Sequence, residues 1–358
     1  MNLDELLRIP PYSLPQAAKE EVLLDELNRL VTHHRAGCAG YERLMRVLYP
    51  GDAPAASLAG VPYLPVGLFK EHALASVPES EIFRVLRSSG TTGQAPSRIV
   101  LDRETAQRQT MALSRIMTEV LGPKRLPMIL VETADLLKDR RQFNARAAGL
   151  LGMMNFGRDH FYALDSGLQL RLPELKEFLA KHGRQPFLIF GFTFLVWTQL
   201  YRQAKAAGLD LSQGVLIHSG GWKNLQDQAV TPAQFRKAFG EAAGLRRMHN
   251  FYGMVEQVGS VFLEGEDGYF YPQAFAEVII RDPLTLEELP VGRTGVIEVL
   301  SALPRSYPGH ALLTEDLGVV HAVDSPATGW GGKAFSVLGR IPRAELRGCS
   351  DVIAAQVA

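Results

Sequence analysis

Hydrophobic and polar positions alternate along the chain with two different periods, and these periods predict the first elements. Within residues 15–34, Leu23, Leu27 and Leu30 recur at intervals of four and three, which predicts an amphipathic helix. Residues 51–68 are rich in proline, glycine and alanine and are predicted to form a loop.

From about residue 82, short apolar runs alternate with longer stretches of helical spacing. This alternation predicts an α/β layer architecture with a largely parallel sheet. The predicted strands are 82–87, 127–131, 186–190 and 214–217, and the predicted helices are 103–120, 140–151, 172–182, 193–206 and 231–240.

After about residue 257 the pattern becomes one of short apolar segments separated by turn residues. It predicts a β-rich second lobe that packs as a separate sheet or barrel-like unit. The predicted strands there are 258–263, 268–271, 275–280, 294–300 and 317–323.

Composition narrows the class of protein. The 358 residues are 46% hydrophobic, which is enough for a sizeable core in one large domain or two modest ones. The 38 basic and 38 acidic side chains balance, which argues against a nucleic-acid partner. The apolar run at 187–197 is shorter than the ~20 residues of a bilayer span. With an acidic N-terminal segment and two cysteines, we expect a soluble cytoplasmic protein with no membrane span and no disulfide framework.

A loop rich in glycine and hydroxyl groups follows the predicted strand 82–87. Such a loop offers backbone N–H groups and hydroxyls to phosphate oxygens, and glycine lets the backbone approach closely. The alternative is an ordinary flexible turn, but the rival motifs GxxxxGK[ST], GxGxxG, HExxH and GxSxG are all absent. The loop consists of Ser88, Ser89, Gly90, Thr91, Thr92 and Gly93.

Together with four later segments in the same order, this loop resembles the adenylate-forming superfamily of acyl-CoA synthetases, luciferases and peptide-synthetase adenylation domains. Taken singly, the YGMVE segment could instead be a helix start and the TED segment a helix N-cap. The four segments are HSGGW at 218–222, YGMVEQ at 252–257, TEDLG at 314–318 and GR at 339–340.

The resemblance implies ATP and Mg²⁺ as cofactors. It places the Gly220–Gly221 pair and the Tyr252–Gly253 pair beside the adenine, and it makes Glu256 the Mg²⁺ ligand. In the same way it implies that Asp316 binds the ribose hydroxyls and that Arg340 approaches the nucleotide.

Within that superfamily, the chain resembles the bacterial acyl-protein synthetases of the LuxE type from about residue 60 to residue 351. The segments that match are 88–102, 218–223, 250–262, 306–318 and 339–351. The resemblance implies a fatty acid substrate, an acyl-reductase partner of the LuxC type, and an acyl thioester on Cys349.

The resemblance also implies a domain organisation. Residues 1–338 would form the adenylate-forming domain, with an α/β part at about 60–256 and a β-rich part at about 257–338. Residues 339–358 would be a tail that carries the acceptor cysteine, with the usual small C-terminal domain truncated.

That small domain normally supplies a lysine aimed at the reacting carboxylate. The 18 residues after Arg340 contain no lysine, so another cation is expected to take this part. Lys70, Arg98 and Lys223 are candidates, and the sequence does not choose among them.

The residues around Cys349 suit a thiol that accepts an acyl group. A thiolate is the natural nucleophile, and Arg340, Arg343 and Arg347 would favour it if they stay close. The alternative is a free cysteine with no role, which is the interpretation that we give to Cys38.

Aromatic residues cluster after the predicted strand 186–190. They could line an acyl pocket, or they could simply pack a helix against the core, and the sequence leaves both interpretations open. The cluster consists of Phe192, Phe194, Trp197 and Tyr201.

Three functions therefore compete. The first is an enzyme that converts a carboxylic acid to an acyl-adenylate and then loads its own Cys349. The second is an acyl- or aryl-CoA ligase that delivers the adenylate to a free thiol, and the third is a non-catalytic subunit that kept the nucleotide pocket.

Overall fold

The computed structural model describes residues 1–88, 96–137, 145–221, 230–325 and 327–341, which form ten α-helices and fourteen β-strands. The helices are α1 (Leu3–Leu6), α2 (Gln16–Gly37), α3 (Ala39–Leu48), α4 (Leu68–Glu71), α5 (Arg103–Leu121), α6 (Ala145–Met154), α7 (Leu172–His182), α8 (Thr193–Leu195), α9 (Arg202–Ala207) and α10 (Pro232–Ala243). The strands are β1 (Leu64–Pro65), β2 (Arg84–Arg87), β3 (Arg98–Leu101), β4 (Leu126–Thr133), β5 (Gly157–Leu164), β6 (Phe187–Phe192), β7 (Gly214–Ser219), β8 (Arg247–Tyr252), β9 (Phe262–Glu264), β10 (Phe270–Tyr271), β11 (Ala276–Arg281), β12 (Thr294–Ser301), β13 (Ala311–Val323) and β14 (Lys333–Arg340).

The chain divides into two compact units. The first unit comprises Met1–Ile116, Gly253–Phe262 and the described part of Tyr269–Ala358. The second unit comprises Met117–Tyr252 and Leu263–Gly268. The β-rich strands predicted after residue 257 thus belong with the N-terminal 116 residues, a grouping that the sequence pattern did not predict.

The second unit contains a parallel sheet in the strand order β8-β7-β6-β4-β5. Neighbouring strands are in a register that aligns Ile129, Ile189, Leu216 and Met248 across four of them. All four side chains are buried in one core cluster with residues of α7 and α10. Parallel strands covered on both faces are nearly continuous in apolar residues, and this is why β4, β6 and β7 could be predicted.

The first unit contains an antiparallel sheet in which β12 lies between β11 and β13, and β13 pairs with β14. The short strand β1 runs parallel to β13, and β2 and β3 form a separate hairpin. Helix α2 is fixed to this unit by a buried ion pair, in which Lys19 Nζ lies 3.0 Å from Glu277 Oε2 on β11. The predicted α/β class is therefore confirmed, and β13 is longer than its predicted segment. The prediction of a separate sheet after residue 257 is wrong, because β9 to β14 belong to a twelve-stranded sheet that also includes β8.

Candidate functional site

Asp316 and Arg340 come together on the first unit. They are register partners on β13 and β14, and Arg340 Nε lies 3.9 Å from Asp316 Oδ1. The Asp316 N–H donates to Thr314 Oγ1 at 3.1 Å, and that hydroxyl donates to the Ile297 carbonyl at 2.7 Å. Because Asp316 lies within a strand, the alternative that the TED segment caps a helix is wrong. The Arg340 side chain is 73% exposed and that of Asp316 is 20% exposed, so both are open to a ligand.

Glu256 lies on the 3₁₀ turn Val255–Gln257, which follows the end of β8. The turn is held firmly, because Gln257 Nε2 donates to the carbonyl oxygens of Val299 at 3.0 Å and Gly309 at 3.2 Å. Close packing also requires Gly309, where an added Cβ would lie 2.6 Å from the Glu256 carbonyl oxygen. The turn is three residues long, so the alternative of an α-helix start at YGMVE is also wrong.

The Glu256 carboxylate differs from the other buried glutamates of the described chain. Five of these six glutamates lie within 4.0 Å of an arginine or lysine nitrogen. Glu256 is only 7% exposed, yet no hydrogen bond or ion pair to its carboxylate occurs among the described residues. The five paired residues are Glu26, Glu132, Glu264, Glu277 and Glu298.

The Glu256 side chain is largely covered, but its carboxylate oxygens are not among the fully buried atoms that lack a partner, so a ligand can reach them. A carboxylate of this kind, without a protein cation, suits a divalent metal. Mg²⁺ is typically bound through one or two carboxylates together with substrate phosphates, not by a cage of protein ligands. The described residues contain no group of three or more His, Cys, Asp or Glu side chains that could form such a cage. Glu256 therefore fits the part of a single carboxylate ligand to a nucleotide-bound metal.

The glycine pair after β7 lies in the second unit. Gly220 has φ +83°, a left-handed conformation that glycine adopts without strain. A Cβ added there would lie 3.7 Å from Phe192 Cδ1, whereas one added at Gly221 would meet nothing within 4 Å. The pair thus leaves open space at the carboxyl end of β7, where parallel sheets generally bind ligands. Tyr252 is the last residue of β8 in the same unit.

Two histidines near these strand ends are structural. Burial, with Arg236 and His249 nearby, lowers the pKa of His218 to about 3, and its Nδ1 lies 3.0 Å from Thr193 Oγ1. Burial also lowers the pKa of His249 to about 4, and its Nδ1 lies 2.8 Å from the Glu264 carbonyl oxygen. Both rings are therefore neutral at pH 7 and fix the strand ends.

Most of the predicted phosphate loop, the predicted acceptor cysteine and Lys223 lie outside the described residues. Of the loop, the structure describes Ser88, whose Oγ accepts a hydrogen bond from the Ser97 N–H at 2.9 Å. This bond continues the β2–β3 pairing beyond the two strands, to Ser88 and Ser97. The predicted residues that are not described are Ser89, Gly90, Thr91, Thr92, Gly93 and Cys349.

The aromatic cluster after β6 divides into two parts. Trp197 stacks on Tyr201 with ring centroids 4.3 Å apart, and it also stacks on Phe235 of α10 at 5.5 Å. These two residues are packed into the core of the second unit, as the second interpretation predicted. Phe194 also packs against that core, and both Phe192 and Phe194 lie beside Arg146, which belongs to none of the predicted motifs.

Comparison with known proteins identifies the family of the chain. The family model "Acyl-protein synthetase, LuxE" matches residues 2–358. Two proteins named "Long-chain-fatty-acid--luciferin-component ligase" are similar. The one from Vibrio harveyi is 24% identical over 82% of this chain and 77% of its own, and the one from Aliivibrio fischeri is 23% identical over 81% and 77%.

A solved structure has the same fold. It is an open conformation of 2-hydroxyisobutyryl-CoA ligase in complex with 2-HIB-AMP and CoA, with a TM-score of 0.71 and 19% identity. The match covers 93% of this chain and 77% of that one. No helix in the described part of this chain is long and apolar enough to cross a membrane.

Proposed function

Because the chain belongs to the acyl-protein synthetase (LuxE) family, we propose that it is a cytoplasmic ligase that activates a long-chain fatty acid with ATP. The acid carboxylate attacks the α-phosphorus of ATP, the bond to the β-phosphate breaks, and pyrophosphate leaves an acyl-adenylate. The observation that supports this proposal is Glu256, a largely covered residue whose carboxylate has no hydrogen bond or ion pair among the described residues.

Each of the matching residues has a part in this reaction. Asp316 accepts hydrogen bonds from the ribose hydroxyls, and Arg340 beside it contributes positive charge near the nucleotide. Gly220 and Gly221 keep the adenine face open. Glu256 would hold Mg²⁺, which would supply positive charge to the polyphosphate and to the leaving pyrophosphate.

In the second step, the Cys349 thiolate attacks the acyl carbon. A carbon–sulfur bond forms, the bond to the AMP oxygen breaks, and AMP leaves with the electron pair. The acyl group of this thioester then passes to an acyl-reductase protein of the LuxC type, which reduces it and releases an aldehyde. This step rests on family membership and on the three arginines that precede Cys349.

Intact-protein mass spectrometry tests both steps. The chain is incubated with ATP, Mg²⁺ and fatty acids of graded length, and its mass should rise by one hydroxylamine-sensitive acyl group. Cys349→Ser should lose this gain while it still exchanges pyrophosphate into ATP.

The matched control is Cys38→Ser, which should keep the full gain. Cys38 is buried and its Sγ accepts the Tyr41 N–H at the start of α3, where serine is also a good N-cap. An acyl gain that persists in Cys349→Ser would refute the carrier step. Acyl-CoA formed on addition of CoA, with no acyl-enzyme, would favour the free-thiol ligase.

A further inference from the structure

A buried carboxylate at the carboxyl end of β4 holds an arginine. Glu132 Oε2 accepts from Arg146 Nε at 2.6 Å and lies 2.5 Å from Arg146 Nη2. The second oxygen, Oε1, accepts the N–H of Thr133 at 2.9 Å. Both oxygens of Glu132 are therefore used within the protein, and one edge of the guanidinium is fixed.

Two aromatic rings lie beside the same guanidinium. Its central carbon lies 5.6 Å from the ring centroid of Phe192 and 6.0 Å from that of Phe194, within the range of cation–π attraction. Arg146 is nevertheless 27% exposed, and Nη1 has no hydrogen-bond partner among the described residues. One edge of the guanidinium is bound by Glu132, two rings lie close to its central carbon, and Nη1 remains for a ligand.

The location is the one at which a ligand would be expected. Glu132 is the penultimate residue of β4, which lies between β6 and β5 in the parallel sheet, and ligands of such sheets bind at the carboxyl ends of the strands. The Phe192 ring that lies beside Arg146 also borders Gly220. A Cβ added at Gly220 would lie 3.7 Å from Phe192 Cδ1. Arg146 is thus separated from the candidate adenine-flanking glycine by one aromatic ring.

Adenylation has a charge problem that this arginine can address. At pH 7 a carboxylate must approach a triphosphate, so two anions are brought together, and cations must offset the repulsion. A planar guanidinium with a preset orientation is the side chain best suited to carboxylate and phosphate oxygens. A pair that served only to tie α6 to β4 would not need to leave donors exposed at this edge.

We propose that Arg146, positioned by Glu132 and Phe192, binds an oxyanion of the adenylation reaction. The oxyanion is either the carboxylate of the acid or a phosphate oxygen of the nucleotide, and this inference rests on the proposed function. It adds Arg146 to the cations that sequence analysis considered, and it assigns Glu132 as a positioning residue.

Steady-state pyrophosphate exchange of Arg146→Met and Arg146→Lys tests the inference. Loss of one hydrogen bond to a charged group should lower kcat/KM of Arg146→Met by about 10- to 100-fold. Arg146→Lys should recover part of the loss, because it keeps the charge and lacks the planar fork. It also carries the test if Arg146→Met fails to fold.

The matched control is Arg171→Met in the same unit. Arg171 also pairs with a glutamate, Glu174 at 3.0 Å, and lies 5.5 Å over the ring of Phe161, but its carboxylate partner is exposed. Its kcat/KM should stay within about twofold of wild type. Thermal unfolding of each variant separates a kinetic effect from a loss of fold.

The kinetic parameters identify the source of the oxyanion. A raised KM for the acid alone assigns the carboxylate, and a raised KM for ATP alone assigns a phosphate. A lower kcat with both KM values unchanged assigns charge that develops in the transition state. Wild-type kinetics in a folded Arg146→Met would overturn the inference and leave the proposed function intact. A wild-type chain that exchanges no pyrophosphate with any acid would overturn both.

Discussion

Removal of the ammonium group of Lys19 should cost the protein several kcal/mol of unfolding free energy. Lys19 on α2 and Glu277 on β11 form an ion pair at 3.0 Å, and their side chains are 1% and 0% exposed. Lys19→Met keeps the length of the side chain and leaves the carboxylate buried without its closest cation.

Breaking one partner of a buried pair typically costs about 3–5 kcal/mol. The carboxylate keeps two donors, Gln16 Nε2 at 2.6 Å and the Val278 N–H at 2.8 Å, so the lower end is expected, about 3 kcal/mol. That is a large share of the ~5–15 kcal/mol by which a domain is stable. The double variant Lys19→Met/Glu277→Gln removes both charges and should recover most of the loss.

The pH dependence identifies the cause. Burial tends to raise the pKa of Glu277, but Lys19, Lys333 and the Val278 N–H together hold it below its usual range. The wild-type carboxylate therefore contributes stability above its unfolded pKa, and this is lost as pH falls through the folded pKa. Without Lys19 the folded pKa rises, so the difference between variant and wild type should shrink from pH 7 to pH 4.5.

Urea unfolding monitored by tryptophan fluorescence gives the free energies. Lys237→Met is the control, because Lys237 and Glu241 are 3.9 Å apart on an exposed face and contribute under about 0.5 kcal/mol. The reasoning fails if Lys19→Met unfolds within 1 kcal/mol of wild type. It also fails if the double variant is no more stable than the single one.

Three further predictions concern single residues. Glu256→Gln should raise the Mg²⁺ concentration for half-maximal pyrophosphate exchange at least about tenfold without lowering the melting temperature. The reason is that it removes a charge that no described residue offsets. A lower melting temperature with unchanged Mg²⁺ dependence would contradict this prediction. Asp316→Asn should raise the KM for ATP about tenfold. It should change the unfolding free energy by less than about 1 kcal/mol, because the partner of Asp316, Arg340, is largely exposed. A large loss of stability would instead assign Asp316 a structural role. Burial lowers the pKa of His310 to about 3, so the ring stays neutral in the folded chain at pH values where the unfolded chain is protonated. The contribution of the neutral ring to the unfolding free energy is therefore complete above pH ~6.5. It is lost as pH falls, by up to about 1.4 kcal/mol per pH unit. Unfolding of His310→Gln between pH 7.5 and pH 5 should show a shallower slope than wild type, and equal slopes would show that His310 does not contribute.

Sequence periodicity was sufficient for the apolar strands β4, β6 and β7 but failed for β8, which carries several polar groups. β8 (Arg247–Tyr252) was missed because it contains an arginine, a histidine and an asparagine. In the fold, His249 Nδ1 and the Asn250 N–H both bond to Glu264, fourteen or fifteen residues further along the chain. Such partners make a polar strand tolerable in the interior, and no local pattern reveals them.

The residues of the candidate site also divide into those that the sequence pattern pointed to and those that it did not. Glu256 and Asp316 could be identified because each lies in a short segment that matches a known pattern. Arg146 and Glu132 belong to no such segment, and their pairing depends on β4 and α6 coming together across residues 138–144. One local signal did exist, since Glu132 directly follows the predicted strand 127–131, at the end where parallel sheets bind ligands.

The glutamates show how packing and function can be separated in this chain. An unpaired carboxylate in a protein interior costs several kcal/mol, so a fold optimised for stability alone would pair each one. The described chain does so at Glu132, Glu277 and three other buried positions, through cations that lie up to 279 residues away in sequence (305 − 26). Glu256 is the exception, although Gln257 beside it anchors the turn with two hydrogen bonds. A rigid turn that holds a carboxylate without a described cation is consistent with a cation that arrives with the substrate, and this is the arrangement that Glu256→Gln tests.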